Sequence, residues 1–134
     1  MRDAKQIALI ADDDPFVRMD VQQILEDAGF FVYAAAGVDH AMKILADRGD
    51  EVQLLFTDVQ MPPGPLTGFD LARRCAKEWP HIGIVVASGG AEPQEGELPD
   101  GAVFINKPFS AEVVIEHVKK TLPKPHQPDK LRQE

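Results

Sequence analysis

Residues 6–14, QIALIADDD, join a short apolar run directly to three aspartates. An apolar run of this length, bounded by polar residues, is typical of a strand that is buried on both faces in a parallel sheet. The aspartates then begin the loop at the C-terminal end of that strand. Because ligands of open parallel sheets bind at this edge, the stretch predicts both the fold class and the place of a site.

The same pattern recurs along the chain. Four further runs predict strands, and these are FVYAA (31–35), VQLLFTD (52–58), IGIVVAS (82–88) and AVFIN (102–106). Apolar residues at helical spacing fall between and after them, as in the stripe that begins at Pro15 and stops at Gly29. Alternating strands and helices predict a doubly wound α/β fold, (βα)5, with a five-stranded parallel sheet in the order 2-1-3-4-5.

Two segments depart from this pattern. Residues 89–101 contain two prolines and four glycines, so we expect only a short or mobile fourth helix there. After Pro123 the chain is proline-rich and polar, which predicts a disordered C-terminal tail over residues 123–134. The predicted domain therefore covers residues 1–122.

Composition sets limits on function. With 134 residues the chain fits one domain, and its formal charge of -8 argues against direct DNA binding. The one cysteine, Cys75, allows no internal disulfide, and its place on the buried face of a helix predicts a core residue. No apolar stretch reaches the length of a membrane span, so we expect a soluble cytoplasmic protein.

Polar residues at the predicted strand ends form one set: Asp12, Asp13, Asp58, Ser88 and Lys107. In the order 2-1-3-4-5 the first and third strands are neighbours, so the three aspartates should meet. Two carboxylates about 4 Å apart repel by about 4 kcal/mol at an effective dielectric near 20. A divalent cation would offset this repulsion, and oxygen ligands of this kind suit Mg²⁺.

The lysine and the hydroxyl suggest that the site also holds a phosphoryl group. If Asp58 attacked a phosphoryl donor, the oxygens of the resulting aspartyl phosphate would need a cation, an ammonium and a hydroxyl donor. Mg²⁺, Lys107 and Ser88 would supply these three groups. Asp14 could be taken for another metal ligand, but its position favours a cap of the first helix.

Four segments, ALIADDDP, FTDVQMP, VVASG and VFINKPF, each close a predicted strand. Together they resemble the receiver domain of bacterial two-component response regulators, over about residues 6 to 122. The resemblance implies a flavodoxin-like fold with Asp58 as phosphoacceptor. It also implies a Mg²⁺ site in which Asp13 is a direct ligand, Asp12 acts chiefly through water, and Gln60 offers its backbone carbonyl.

The resemblance assigns further roles around the phosphoryl group. Ser88 stands at the position of the switch hydroxyl, and Lys107 at that of its counter-charge. Pro108 would follow the lysine through a cis peptide bond, which would aim the ammonium into the site. Phe104 is either an aromatic switch residue or an ordinary core residue of the fifth strand. The loop after Asp58 has two more residues than the commonest receiver pattern, either because it sets partner specificity or because loops tolerate insertions.

A receiver of this length is expected to stand alone and to catalyse only its own phosphorylation and dephosphorylation. The implied partners are a sensor histidine kinase or histidine phosphotransfer protein, which would meet Pro15, Phe16 and Met19, and a downstream protein target. The role would be that of a phosphorelay shuttle or a protein-binding switch, as a monomer or a phosphorylation-dependent dimer. We expect no membrane partner.

Two other functions compete with this one. Asp12-Asp13-Asp14 after a strand also fits the start of haloacid-dehalogenase-type Mg²⁺ phosphatases, in which Asp12 would be the nucleophile. That alternative leaves Asp58 without a role, and it expects an acidic pair beyond the lysine where this chain has Pro108-Phe109-Ser110. The other is an unphosphorylated interaction scaffold, against which the acidic set with Lys107 argues.

Overall fold

A five-stranded parallel sheet forms the centre of the protein. The computed structural model describes residues 6–90 and 92–132. The strands are β1 (Ile7–Ala11), β2 (Phe31–Ala35), β3 (Val52–Asp58), β4 (Gly83–Ser88) and β5 (Val103–Asn106). They pair in the order β2-β1-β3-β4-β5, and every pair is parallel. The predicted fold class and strand order are confirmed.

Helices cover both faces of this sheet. They are α1 (Pro15–Asp27), α2 (Val38–Arg48), α3 (Gly68–Glu78), α4 (Ala111–Thr121) and the short α5 (Asp129–Arg132), with 3₁₀ turns at Gly49–Glu51 and Lys124–His126. Residues of α2 and α3 pack with Leu9 and Leu55 in one apolar cluster. Residues of α1 and α4 pack with Ile10 and Phe56 in the other. Successive strand residues thus serve opposite layers, which explains the unbroken apolar runs of β1 and β3.

Side-chain caps fix where the helices beside the sheet edge begin. The Asp14 carboxylate accepts hydrogen bonds from the amides of Phe16 (2.9 Å) and Val17 (3.4 Å), as the capping interpretation of Asp14 predicted. At the start of α3, the Thr67 hydroxyl accepts from the Asp70 amide while the Asp70 carboxylate accepts from the Thr67 amide at 2.7 Å. These reciprocal bonds satisfy amides that a helix start otherwise leaves unpaired.

The connection between β4 and β5 contains no helix within its described residues, 89–90 and 92–102. The expected fourth helix is therefore absent from that part, and Ala91 lies outside the described residues. Gly96 and Gly101 have φ values of 86° and 85°, which continue a turn but not a right-handed helix. Arg73 of α3 donates to the backbone oxygen of Glu97 at 2.9 Å and so ties this segment to its neighbour.

The C-terminal tail is folded over residues 123–132, contrary to the predicted disorder. Leu131 is only 4% exposed and belongs to the cluster beneath α1 and α4. The Gln127 amide group donates to the backbone oxygen of Leu122 at 2.8 Å and caps the end of α4. Gly29, with φ of 109°, ends α1, and a Cβ there would lie 2.8 Å from the Cβ of Pro128. Tertiary burial of a few residues thus outweighs the polar composition of the tail.

A groove of about 620 Å³ lies between α1, α4 and the folded tail. Its apolar lining includes Ile24, Ile115 and Leu131, and none of the strand-end residues belongs to it. Within the described part of the chain, no helix is both long and apolar enough to cross a membrane.

Candidate functional site

The C-terminal strand ends bring the predicted set of residues to one edge of the sheet. Asp12 and Asp13 follow β1, Asp58 ends β3, Ser88 ends β4, and Lys107 follows β5. Ligand oxygens of the three aspartates lie within 4.8 Å of one another. Topology thus brings Asp58 together with two adjacent aspartates that lie more than 40 positions earlier in the sequence.

Lys107 links two of the three carboxylates. Its Nζ lies 3.1 Å from Asp12 Oδ2 and 3.1 Å from Asp58 Oδ1. Both aspartates are buried, whereas Asp13 is exposed. Three carboxylates and one ammonium leave the cluster with a formal charge of -2 when all are ionised. A divalent cation would neutralise this charge, so the donor set fits the predicted Mg²⁺ site.

Burial and the hydrogen bonds between Lys107 and the aspartates act in opposite directions on the pKa values of Asp58 and Lys107. Burial raises the pKa of Asp58 above its ordinary value, and the nearby charge of Asp12 adds to this, while the hydrogen bond from Lys107 opposes it. Burial alone would lower the pKa of Lys107, but its hydrogen bond to Asp58 and the charges of both aspartates raise it. The ammonium is therefore charged at neutral pH.

Asp12 is held at every polar atom. Its amide donates to Ala35 O at 3.1 Å, and its Oδ1 accepts from the Asp14 amide at 2.9 Å. Its Oδ2 accepts from Lys107, and its backbone oxygen accepts from Arg18 Nη1 at 2.8 Å. By contrast, no group among the described residues donates a hydrogen bond to the Asp13 carboxylate. Asp13 is thus placed by its backbone alone.

Gly68 packs against the backbone of Asp58, a contact that sequence reasoning missed. A Cβ at position 68 would lie 1.8 Å from Asp58 O, a distance that no side chain tolerates. The Gly68 amide donates to Val59 O at 2.8 Å, and Thr57 Oγ1 donates to Asp58 O at 2.9 Å. The start of α3 therefore fixes the backbone that carries Asp58. The available signal was a glycine directly after a threonine cap.

Ser88 is buried at the end of β4, one position beyond Ala87, the strand partner of Asp58. Its Oγ accepts a hydrogen bond from the Gly90 amide at 3.0 Å. Its backbone oxygen accepts from the Lys107 amide at 2.9 Å, which joins the ends of β4 and β5. A Cβ at Gly90 would be only 3.6 Å from Ser88 Oγ, so the glycine leaves space beside the hydroxyl.

The remaining predicted residues lie around this cluster. Phe104 is half-buried on β5, pairs with Val86 of β4, and packs against the apolar cluster of α2 and α3. Gln60 is exposed two residues after Asp58. The peptide bond between Lys107 and Pro108 is cis.

The long loop after Asp58 extends away from the sheet edge. Met61 is buried, and residues 62–65 are exposed, with Gly64 at a φ of 107°. Between this loop and the start of α2 lies a cavity of about 260 Å³. The two additional residues therefore lie on the surface, beside Gly37 and His40.

The model of the response regulator receiver domain family matches residues 8–119 of this chain. The chain belongs to this family. Receiver domains are typically signalling modules, and the family membership argues against the haloacid-dehalogenase alternative with Asp12 as nucleophile. Receiver domains bind Mg²⁺ at an acidic pocket and interact with histidine kinases, and this chain has an acidic cluster formed by Asp12, Asp13 and Asp58.

Curated relatives match the chain over only part of their own length. The chain is 34% identical over 119 residues to the sensor kinase CckA of Brucella abortus, covering 87% of the chain and 12% of the relative. It is 33% identical over 120 residues to the nitrogen assimilation regulatory protein NtrX of Azorhizobium caulinodans, covering 85% and 26%. The chain thus spans about an eighth to a quarter of these proteins.

Solved structures resemble it over nearly their whole length. A response regulator receiver protein from Sinorhizobium medicae has a TM-score of 0.78 at 28% identity, covering 87% of this chain and 94% of that one. The chemotaxis protein CheY4 of Vibrio cholerae has a TM-score of 0.77 at 25% identity, covering 89% and 100%. The receiver fold accounts for the part of the chain that carries the site.

We predict that Lys107→Met destabilises the protein more at pH 8 than at pH 5. In the wild type the raised pKa of Lys107 means that its contribution is present below pH 10.5 and is lost as the pH rises through the pKa of the folded state. Without the ammonium, the pKa of buried Asp58 rises further, so protonation relieves the repulsion as the pH falls. Urea denaturation should show a loss of about 2 kcal/mol at pH 8, with a smaller loss at pH 5.

The control is Lys77→Met, which removes an exposed lysine of α3. It should change the free energy of unfolding by no more than about 0.5 kcal/mol at either pH. Equal losses for Lys107→Met at both pH values would show that Lys107 contributes packing rather than charge.

Proposed function

We propose that this receiver domain accepts a phosphoryl group on Asp58 in a Mg²⁺-dependent reaction. The donor is a histidine kinase or a histidine phosphotransfer protein, and the product acts as a phosphorelay shuttle or as a protein-binding switch in bacterial two-component signalling. The observation that carries the proposal is the Lys107 ammonium between Asp12 and Asp58 at 3.1 Å from each. The ammonium binds Oδ1 of Asp58, so that the second carboxylate oxygen, Oδ2, is the one proposed to attack phosphorus.

The residues of the cluster divide the chemistry between them. An Asp58 oxygen forms a bond to phosphorus while the bond from phosphorus to the donor nitrogen breaks, and the donor imidazole keeps the electron pair. Asp12, Asp13, Asp58 and the backbone carbonyl of Gln60 would hold Mg²⁺, which supplies neutralisation of the phosphoryl oxygens. The Lys107 ammonium would offset the negative charge that develops on the phosphoryl group, and the Ser88 hydroxyl would donate a hydrogen bond to a phosphoryl oxygen.

Labelling with a small phosphodonor tests the acceptor. With acetyl phosphate and Mg²⁺, the wild type should form an acid-stable, base-labile adduct, and Asp58→Asn should form none because its amide is not a nucleophile. Phosphate-affinity electrophoresis and intact mass measure the adduct of 80 Da, the mass of one added phosphoryl group. Label that survives in Asp58→Asn but is lost in Asp12→Asn would contradict the proposal and restore the phosphatase alternative.

Mg²⁺ binding is tested separately, through stability. Mg²⁺ at 100 times its Kd should add about 2.7 kcal/mol to the wild type and raise its Tm. Asp13→Asn should lose most of this increase, because Asp13 belongs to the carboxylate cluster. Asp14→Asn is the matched control, since it alters an adjacent exposed aspartate that caps α1 and keeps a capping side chain. Equal Mg²⁺ responses in the two variants would exclude Asp13 as a ligand.

The first helix offers a surface for the histidine-bearing partner. Phe16 and Met19 are 81% and 66% exposed, the two most exposed large apolar side chains among the described residues. They lie on the first turns of α1, directly after the acidic loop. Exposed apolar side chains beside a polar site favour a protein partner over a small-molecule donor.

We therefore expect Phe16→Ser to slow phosphotransfer from the most active of a panel of autophosphorylated histidine kinases by about tenfold, which corresponds to about 1.4 kcal/mol. Labelling by acetyl phosphate should be unchanged, because a small donor needs no docking surface. Leu66→Ser, in the exposed loop, is the control. Unchanged transfer from the kinase to Phe16→Ser would move the docking surface elsewhere.

Other features complete the proposed role. The formal charge of -8 supports a protein target rather than direct contact with DNA. We propose that it acts in the cytoplasm, either as a monomer or as a dimer on phosphorylation. Its readout would pass through Ser88, Phe104 and the segment between β4 and β5.

A further inference from the structure

Arg18 turns back from α1 to the loop that carries the acidic pair. Its Nη1 donates to the backbone oxygen of Asp12 at 2.8 Å, and its side chain is half-buried. Within the described residues, no carboxylate oxygen lies within 4.0 Å of its guanidinium nitrogens. Among the described residues, the guanidinium of Arg18 thus hydrogen-bonds only to this carbonyl of the loop, although Arg18 shares α1 with the exposed Phe16 and Met19.

This carbonyl belongs to the peptide unit that joins Asp12 to Asp13. The other polar atoms of Asp12 are held by Ala35, Asp14 and Lys107. The carboxylate of Asp13 receives no hydrogen bond from the described residues, so its place in the cluster depends on the orientation of that peptide plane. Rotation of the plane would carry the exposed carboxylate away from Asp12 and Asp58.

We propose that Arg18 is a positioning residue for the cation site, which fixes the peptide between Asp12 and Asp13 so that the Asp13 carboxylate faces the cluster. The proposal rests on the Mg²⁺-dependent function proposed above. It assigns Arg18 to the interior of the site rather than to the partner surface. Hydrogen-bonded groups behind metal ligands typically contribute 10- to 100-fold to metal affinity.

The sign of the effect separates positioning from simple electrostatics. A guanidinium near a site repels a bound cation, so its removal would tighten Mg²⁺ binding if charge alone mattered. Loss of the carbonyl contact weakens Mg²⁺ binding, because Asp13 is no longer held. The two roles therefore predict changes of opposite direction for the same variant.

The experiment compares Mg²⁺ affinity in the full chain by isothermal titration calorimetry. Arg18→Met should weaken Mg²⁺ binding by at least about tenfold. Arg18→Lys retains an N–H donor and should recover most of that affinity. The matched control is Arg73→Met on α3, because Arg73 also donates from Nη1 to a backbone oxygen, that of Glu97, at 2.9 Å. This control should leave Mg²⁺ binding within about twofold of the wild type, because Arg73 shares no hydrogen-bond partner with the cation site and distant sites act independently.

Phosphorylation by acetyl phosphate supplies a second measurement. The Arg18→Met variant should need a higher Mg²⁺ concentration for half-maximal labelling, with the wild-type rate regained at saturating Mg²⁺. Unfolding in the absence of Mg²⁺ verifies that each variant is folded before its affinity is compared.

Unchanged or tighter Mg²⁺ binding by Arg18→Met would overturn the inference. So would equal weakening in Arg18→Met and Arg18→Lys, or a labelling rate that stays low at saturating Mg²⁺. A wild type that binds no Mg²⁺ would instead contradict the proposed function itself. The two failures are therefore distinguishable.

Discussion

The structure depends on the meeting of like charges at one edge of the sheet. Asp12 and Asp58 are buried at the C-terminal ends of neighbouring strands, where two carboxylates about 4 Å apart repel by about 4 kcal/mol at an effective dielectric near 20. Lys107 bridges them from the end of β5, across 95 and 49 positions of sequence. One ammonium therefore joins three strand ends. It offsets only part of the negative charge, and the remaining charge supports the proposed Mg²⁺ site, since a divalent cation would neutralise it.

The sheet and the cluster could be predicted because both follow from local patterns combined with a topological rule. Five apolar runs identify the strands, and parallel pairing places their polar ends together. The strand pattern and the pairing rule were therefore enough to group the polar residues at the strand ends, without knowledge of side-chain contacts. These residues are Asp12, Asp13, Asp58, Ser88 and Lys107. Asp14 could also be assigned, since a cap depends only on residues two and three positions along the chain.

The parts that could not be predicted depend on contacts between distant elements. Composition predicted a disordered tail, but Leu131 is buried in the apolar cluster of α1 and α4, and Gln127 donates a hydrogen bond to the Leu122 carbonyl at the end of α4. The close approach of Gly68 to Asp58 and the bond from Arg18 to Asp12 exist only once the loops are folded. The sequence shows which residues can perform the chemistry, but the groups that position these residues can be identified only from contacts in the folded structure.

The hydrogen bonds of Ser88 indicate how a change of charge at Asp58 would affect the neighbouring connection between β4 and β5. Ser88 Oγ accepts the Gly90 amide, while its hydroxyl hydrogen is free to point elsewhere. A phosphoryl group on Asp58 adds about -1.5 to -2 charges beside this hydroxyl. If the serine turned toward it, the Gly90 amide would lose its acceptor at the start of the connection to β5. That connection has no helix in its described residues and is tied to α3 through Arg73 and Glu97. Because its described residues have few regular hydrogen bonds to break, we expect this segment to rearrange more readily than the strands and helices beside it.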